Sequence, residues 1–310
     1  MSFIVIDNLA KAYDGVEAVR GFSLTVEKGS ATALVGPDGA GKTTIMRAMC
    51  NLLKPDGGRI EIDGREVAHE FDALKESVGY MPQVFSLYPD LSVEENLIFY
   101  GGIYGVTGSD FTRRRDELYE FSNLSPFARR RAGALSGGMK QKLALSCALI
   151  HEPKLLILDE PTTGVDPLSR RQFWEILLRF KREGVTILVS TPYMDEVART
   201  DRACFIFSGR KLAEGSPGEL AGLFEGSVYA WGNSLDRGPI DRLDNTDGLH
   251  VQRFGAGLHI YVDADYSLND FEGLLEENGI ATDQLKQTQP SLEDSFIQRM
   301  SRSSEGADEL

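Results

Sequence analysis

The sequence Gly36-Pro37-Asp38-Gly39-Ala40-Gly41-Lys42-Thr43 decides the fold class of this 310-residue chain. It fits the phosphate-binding loop pattern and lies between an apolar run at 31–35, which predicts a strand, and a segment at 42–53 with helical spacing of apolar residues. Glycines let consecutive backbone N–H groups surround phosphate oxygens, and a helix N-terminus adds positive potential. We therefore predict that these residues and Thr44 bind a nucleoside triphosphate, with Lys42 on the terminal phosphates and Thr43 on Mg²⁺.

A second apolar run ends in two carboxylates, in the sequence Leu155-Leu156-Ile157-Leu158-Asp159-Glu160. Its length and continuous apolar character predict a buried parallel strand, and ligands bind at the carboxyl ends of such strands. Asp159 is then placed to support Mg²⁺ directly or through water, and Glu160 to act as general base or to orient the attacking water. Two exposed carboxylates that merely close a strand are the weaker interpretation, because a phosphate loop precedes them.

Composition and charge restrict the function. With a net charge of −14, the chain lacks the surplus of cations that coats nucleic acid, so we expect no nucleic-acid partner. The longest apolar runs have the length of strands, well below the ~20 residues of a membrane span. No signal peptide opens the sequence around Ile4, and we expect a cytoplasmic protein whose three separated cysteines are buried thiols.

The pattern along the chain predicts two domains. Strand-like runs alternate with helical patterns and Gly-rich turns as far as about Phe224, which is typical of an α/β domain built on a mostly parallel sheet. We place this domain at residues 1–222, with a helical subdomain at about 84–150. Residues 223–300 predict a small α+β domain that ends in a helix after Ser291, and 301–310 a disordered tail.

A third motif, Leu135-Ser136-Gly137-Gly138-Met139-Lys140-Gln141, opens a predicted helix and forms a second small anion-binding terminus. It falls between the phosphate loop and the acidic strand, and there it resembles the signature motif of ATP-binding cassette (ABC) proteins. The resemblance covers about residues 3–220. It implies ATP and Mg²⁺ as ligands, with Ser136, Gly137, Gly138 and Gln141 among the nucleotide-binding residues.

Other motifs of the family follow in order. Tyr13 lies where an aromatic ring stacks on adenine, and Gln83 matches the glutamine that senses Mg²⁺ and the attacking water, which makes it a predicted catalytic residue and Mg²⁺ ligand beside Thr43 and Asp159. Asp166 ends the sequence Gly164-Val165-Asp166, which matches the loop that couples the two sites of a dimer. Alone, Tyr13 and Gln83 are more typical of a packed aromatic and a surface amide; their order and spacing favour the functional interpretation.

The resemblance implies a fold and an assembly. The fold is α/β, that of a P-loop nucleoside triphosphate hydrolase of the ABC type, with a parallel-sheet core, an antiparallel β subdomain and a helical subdomain, here followed by a small C-terminal α+β domain. Two cassettes of this family pack head to tail. Each ATP then lies between the phosphate loop of one chain and the signature serine of the other, so neither chain has a complete site.

Pro192 departs from the family pattern, because the family carries a histidine at this position. That histidine contacts the terminal phosphate, and loss of such a group lowers the rate on the order of 100-fold to 10,000-fold. None of the four histidines is close enough in sequence to replace it. We predict weak or partner-dependent ATP hydrolysis in an asymmetric heterodimer whose second cassette carries the histidine. Asp38 is a milder departure, because this loop position is often neutral.

The chain resembles the ATPases of bacterial drug-export and polymer-export permeases through Gly79-Tyr80-Met81-Pro82-Gln83 and its C-terminal segment from Pro290. The resemblance implies integral-membrane permease subunits as partners and a position on the inner face of the cell membrane. Residues 84–88 are the predicted permease contact, and the arginine triplets at 113–115 and 129–131 are typical of solvated surfaces. A soluble cassette ATPase acting on ribosomes or DNA, or a regulatory module that does not hydrolyse ATP, remains an alternative.

Overall fold

A computed structural model describes residues 2–231, 237–244, 246, 248–254, 257–278 and 285–308. The chain divides into two compact units, Met1–Pro217 and Gly218–Leu310. The boundary between these units lies close to the domain boundary predicted between residues 222 and 223. Among the described residues, no helix combines the length and apolar character that crossing a membrane requires.

The secondary structure alternates strands and helices through most of the first unit. The strands are β1 (Ser2–Tyr13), β2 (Val16–Glu27), β3 (Ala31–Val35), β4 (Gly57–Ile62), β5 (Arg65–Glu66), β6 (Val78–Met81), β7 (Leu155–Asp159), β8 (Thr186–Thr191), β9 (Arg202–Phe207), β10 (Arg210–Gly215), β11 (Ser227–Trp231), β12 (Leu249–Phe254), β13 (Gly257–Val262) and β14 (Leu285–Thr288). The helices are α1 (Lys42–Met49), α2 (Val67–Leu74), α3 (Val93–Ile103), α4 (Gly108–Ser122), α5 (Gly137–Leu149), α6 (Pro167–Arg182), α7 (Met194–Val197), α8 (Pro217–Ala221), α9 (Arg237–Asp244), α10 (Leu268–Glu277) and α11 (Leu292–Asp308).

The core of the first unit is a sheet with strand order β10-β9-β3-β8-β7-β6, parallel except for the antiparallel β9–β10 pair. Every residue of β3, β7 and β8 is buried, which explains their continuous apolar sequences. The register pairs Val35 with Thr191 and Asp159 with Ser190. The carboxyl ends of β3, β7 and β8 therefore lie side by side at one edge of the sheet. The phosphate loop follows β3 at this edge.

An antiparallel sheet, in the order β2-β1-β4-β5, accompanies this core. Its long β1–β2 hairpin turns at Asp14 and Gly15, both with positive φ. Alternating residues of these strands join the main apolar cluster, including Ile4, Ile6 and Phe22. The parallel core, the antiparallel sheet and the helices confirm the predicted fold class.

The helices α3, α4 and α5 lie between β6 and β7. α3 begins with a capping box, in which the Ser92 hydroxyl accepts a hydrogen bond from the Glu95 amide at 3.2 Å and the Glu95 carboxylate accepts one from the Ser92 amide at 2.7 Å. α1 is shorter than predicted, ending at Met49 rather than Leu53. Asn51 adopts a left-handed conformation at φ 52°, which ends the helix.

The second unit contains an antiparallel sheet in the order β12-β13-β11-β14, with α9, α10 and α11. Along β13, Leu258, Ile260 and Val262 enter the apolar cluster of this unit, as their alternation predicts. His259 and Tyr261 instead place their polar atoms within 3.1 and 2.8 Å of the Asp294 carboxylate. Both faces of this strand are therefore buried.

The sequence predicts a disordered tail from Ser301, whereas among the described residues α11 continues to Asp308. The helix begins as predicted at Ser291, whose hydroxyl accepts a hydrogen bond from the Asp294 amide at 3.2 Å. Arg302 then forms an ion pair with Glu225 at 2.6 Å, beyond the predicted helix end. This long-range contact could not be predicted from the local composition. Residues 309–310 lie outside the described residues.

Candidate functional site

The loop between β3 and α1 has little room for side chains. A Cβ atom on Gly36 would lie 2.2 Å from the Ile206 carbonyl oxygen, and one on Gly41 would lie 2.5 Å from the Ala18 carbonyl oxygen. Gly39 and Gly41 also have φ values of 80° and 103°, which favour glycine. The glycines therefore permit the close backbone curvature of a phosphate-binding loop, and α1 begins directly behind it.

Lys42 is buried beneath this loop. Its ammonium group donates hydrogen bonds to the carbonyl oxygens of Gly36 at 2.7 Å and Pro37 at 3.0 Å, and it lies 3.0 Å from the Glu160 carboxylate. Lys42 and Glu160 are 4% and 5% exposed, so this is a buried ion pair. It brings together the cation and the carboxylate that the sequence predicted for phosphate binding and catalysis.

Asp159 ends β7 next to the loop. One carboxylate oxygen accepts hydrogen bonds from the Ser190 hydroxyl at 2.9 Å and the Thr43 hydroxyl at 3.2 Å, whereas Oδ2 is buried without a partner in the described part of the chain. Burial and the neighbouring Glu160 carboxylate raise the pKa of Asp159, although the two hydroxyls oppose the increase. A buried carboxylate oxygen without a donor, beside a hydroxyl, fits a hard cation such as Mg²⁺.

Glu160 is held from several directions. Its Oε2 accepts hydrogen bonds from the Gln83 amide nitrogen at 3.0 Å and the Thr163 hydroxyl at 3.3 Å, and its own amide donates to Ser190 Oγ at 2.8 Å. Its φ of 47° is unusual for a residue other than glycine, and such backbone strain is concentrated at functional sites. These contacts fix a carboxylate next to Lys42.

A cavity of about 340 Å³ lies over the phosphate loop. Its lining residues are Ala18, Asp38, Gly39, Ala40, Gly41, Lys42, Thr43, Thr44, Gln83 and Glu160. Ala18 was not predicted from the sequence. None of the four histidines lines this cavity. Tyr13 is 44% exposed on the β1–β2 hairpin and is also absent from the lining.

The signature residues form a separate group on the same unit. Ser136 begins α5, where its hydroxyl accepts a hydrogen bond from the Met139 amide at 3.4 Å, and the half-buried Gln141 lies one turn further on. Gly138 packs so closely on α6 that an added Cβ would lie 2.5 Å from the Ser169 hydroxyl. Asp166 begins α6 by accepting a hydrogen bond from the Ser169 amide at 2.9 Å. None of Ser136, Gly137, Gly138, Gln141 and Asp166 lines the phosphate-loop cavity.

The structure also shows site residues that the sequence analysis missed. β8 includes two polar residues after its apolar run, because Ser190 and Thr191 still pair with the neighbouring strands. Ser190 thereby links Asp159 to the backbone of Glu160. The only indication of Ser190 in the sequence was its position directly after an apolar run. Pro192 follows as an exposed residue and offers no hydrogen-bond donor.

A buried carboxylate organises the segment around Pro192. Glu196, on α7, accepts hydrogen bonds from the Thr162 and Thr191 hydroxyls, both at 2.6 Å. Thr191 Oγ1 also accepts a hydrogen bond from the Tyr193 amide at 3.1 Å. Glu196 therefore joins the segment after β7 to the segment after β8.

We expect Glu196→Ala to lower the free energy of unfolding by about 2–3 kcal/mol, because two buried hydroxyls lose a charged acceptor. Asp195→Ala is the matched control: its side chain is 68% exposed and lies 3.8 Å from Arg170, so we expect a change below about 1 kcal/mol. Urea denaturation of both variants measures the difference. Equal stability of the two variants would show that the Glu196 contacts contribute little.

Comparisons with known proteins agree with this geometry. The sequence profile of the ABC transporter family matches residues 19–163. The probable multidrug ABC transporter ATP-binding protein YbhF of Escherichia coli (strain K12) is 38% identical over 302 residues, covering 95% of this chain and 51% of its own length. The chain thus spans about half the length of that relative.

Two further proteins match over more of their own length. The Nod factor export ATP-binding protein I of Bradyrhizobium diazoefficiens is 34% identical over 310 residues, covering 98% of this chain and 99% of its own length. A dimeric structure of a bacterial ABC transporter cassette superposes with a TM-score of 0.64 at 26% identity, covering 69% of this chain and 98% of the cassette. The resemblance predicted from the motifs is confirmed, and the chain belongs to the ABC transporter family of ATP-binding proteins.

Proposed function

We propose that this chain is an ATP-binding subunit that powers a membrane export complex. The observation that carries the proposal is the buried cluster at the sheet edge, in which Lys42, Asp159 and Glu160 meet beneath the phosphate loop with Gln83. An export role is supported by the relatives from Escherichia coli and Bradyrhizobium, whose names describe a multidrug transporter and a Nod factor exporter.

In this proposal the residues have distinct roles in ATP hydrolysis. The loop amides and Lys42 bind the phosphates, and Tyr13 contacts adenine. Glu160 positions the attacking water and accepts its proton, with Gln83 fixing the carboxylate at 3.0 Å. Thr43 and Asp159, with Gln83 nearby, would hold Mg²⁺, which would supply positive charge to the phosphates.

The site binds ATP but turns it over slowly. Pro192 occupies the position of the family's switch histidine, and it can neither donate a hydrogen bond nor carry charge towards the terminal phosphate. The phosphate loop, Asp159 and Glu160 are otherwise complete. We infer that the chain forms an asymmetric heterodimer, in which Ser136, Gly137 and Gly138 complete the site of a second cassette that carries the histidine.

Coexpression tests this assembly. The chain would be purified alone and together with a cassette subunit that carries the switch histidine, and ATP hydrolysis would be measured for each. We expect activity chiefly in the pair, and we expect Ser136→Ala in this chain to reduce it. If the pair hydrolysed ATP no faster than the rates of the two separate subunits added together, the heterodimer would be contradicted. A pair without any hydrolysis would favour the regulatory module.

The surface proposed to contact the permease lies in the helical segment. Val84, Tyr88, Ile98, Phe99 and Ile103 are exposed there despite their apolar character. The rings of Tyr88 and Phe99 are in edge-to-face contact at 4.7 Å. Such a surface suits an apolar helix of an integral-membrane subunit, and this contact would hold the chain at the inner face of the membrane.

We expect Phe85→Asp to uncouple ATP hydrolysis from transport while nucleotide affinity stays within about two-fold of the wild type. Phe85 is half-buried, its ring lies 5.6 Å from the Lys140 ammonium, and it is absent from the phosphate-loop cavity. Leu52→Asp serves as control, because Leu52 is exposed outside this surface. Export by intact cells and nucleotide titration of the purified chain report the two effects. Normal export by the Phe85 variant would refute the contact.

A further inference from the structure

The second unit contains a larger cavity than the phosphate loop does. Its volume is about 590 Å³, within the range of pockets that bind drug-sized molecules. Residues of β12, β13 and α11 line it, including Leu249, Tyr261 and Asp294. Every lining residue belongs to this unit, and none is among the residues assigned to ATP.

Carboxylates outnumber cations in the lining. Asp244, Asp263 and Asp294 contribute negative charge, against the guanidinium group of Arg302. Arg302 lies 2.6 Å from the Glu225 carboxylate and His250 lies 2.7 Å from that of Asp244, so both already have an acidic partner. The cavity therefore has an acidic balance.

Asp294 is the buried member of this group. Its carboxylate accepts hydrogen bonds from the Tyr261 hydroxyl at 2.8 Å and the Ser291 amide at 2.6 Å, and His259 Nδ1 lies 3.1 Å away. Burial opposes ionisation, but these hydrogen bonds outweigh it and hold the pKa of Asp294 below its usual value. Asp263 is an exposed residue of the lining, and its backbone amide donates to the Gly248 carbonyl at 2.9 Å.

Aromatic side chains also belong to the lining of this cavity. The rings of Phe224 and Tyr261 lie 5.7 Å apart, and the imidazole of His250 stacks on Tyr261 at 5.7 Å. Leu249 and Ile297 extend the apolar part of the lining. Aromatic faces attract organic cations, and the attraction increases when nearby carboxylates supply opposite charge.

We propose that this cavity binds an organic cation that joins an ammonium group to an apolar body. The ammonium group lies against Asp263, the buried Asp294 carboxylate adds to the negative potential, and the apolar body packs on Phe224, Leu249 and Ile297. An anion is disfavoured by the acidic balance. A bare metal ion is disfavoured too, because no group of three or more metal-binding side chains occurs among the described residues.

Three compounds that differ only in their head group test the proposal: 4-phenylbutylammonium, 4-phenylbutanol and 4-phenylbutyrate. Isothermal titration of the full chain should show saturable binding of the cation, with a Kd of about 0.1–1 mM for a ligand of this size. The alcohol should bind at least about five-fold more weakly and the anion not measurably. Equal binding of all three, or preference for the anion, would overturn the proposal.

Variants locate the site. Asp263→Asn and Phe224→Ala should each weaken binding of 4-phenylbutylammonium about five-fold. Asp265→Asn, which changes an exposed aspartate outside the lining, should leave binding unchanged. Thermal denaturation establishes that each variant is folded. If Asp265→Asn weakened binding as much as Asp263→Asn, the effect would be one of general surface charge. If neither Asp263→Asn nor Phe224→Ala weakened binding, the ligand would not occupy this cavity.

Discussion

Replacing Lys42 with alanine is expected to weaken ATP binding at least about 30-fold, because a buried cation that contacts phosphate is lost. The same change leaves Glu160, 5% exposed, without its ion-pair partner. Breaking a buried ion pair from one side destabilises a protein by about 3–5 kcal/mol. Titration with a fluorescent ATP analogue and urea denaturation measure the two effects separately.

A second substitution distinguishes lost binding from lost folding. In Lys42→Ala combined with Glu160→Gln, the buried negative charge is removed as well, and Gln83 and Thr163 remain close to the new amide. We expect the double variant to regain most of the lost free energy of unfolding, while its ATP affinity stays low. Recovery of affinity in the double variant would mean that Lys42 acts only by neutralising Glu160.

Pro192→His is expected to raise the turnover number of the purified chain on the order of 100-fold, at concentrations where two copies associate. The imidazole restores the group that the resemblance assigns to the terminal phosphate, next to a segment that Glu196 already holds through Thr191. Pro192→Ala removes the ring constraint without adding a donor and is the matched control. Equal turnover of the two variants would show that the absent histidine does not limit the rate.

The arrangement of the sheet edge around the predicted phosphate loop could be inferred from the sequence, because local patterns determine most of it. The apolar run at 31–35 has the bounds of β3, and the capping box at Ser92 is present. Lys42 and Glu160 lie far apart in sequence, yet both follow buried parallel strands. The carboxyl ends of parallel strands lie at the same edge of a sheet, and there the Lys42 ammonium lies 3.0 Å from the Glu160 carboxylate.

Other features depend on contacts between distant segments, which local patterns do not encode. Ser190 and Thr191 belong to β8 only through pairing with its neighbours, and Glu196 reaches Thr162 across the sheet edge. A single acidic residue on a short helix gives no sign of such a contact. The continuation of α11 past Ser301 and the cavity of the second unit likewise require the packing of the whole unit.

We infer that the chain's own site binds ATP but hydrolyses it slowly. The most direct measurement is steady-state ATP hydrolysis by the purified chain alone, in parallel with its Glu160→Gln variant. We expect a turnover so low that Glu160→Gln can reduce it only by a small absolute amount, while both proteins bind ATP. Rapid turnover that Glu160→Gln stops would contradict it, because the site would then be complete without the histidine.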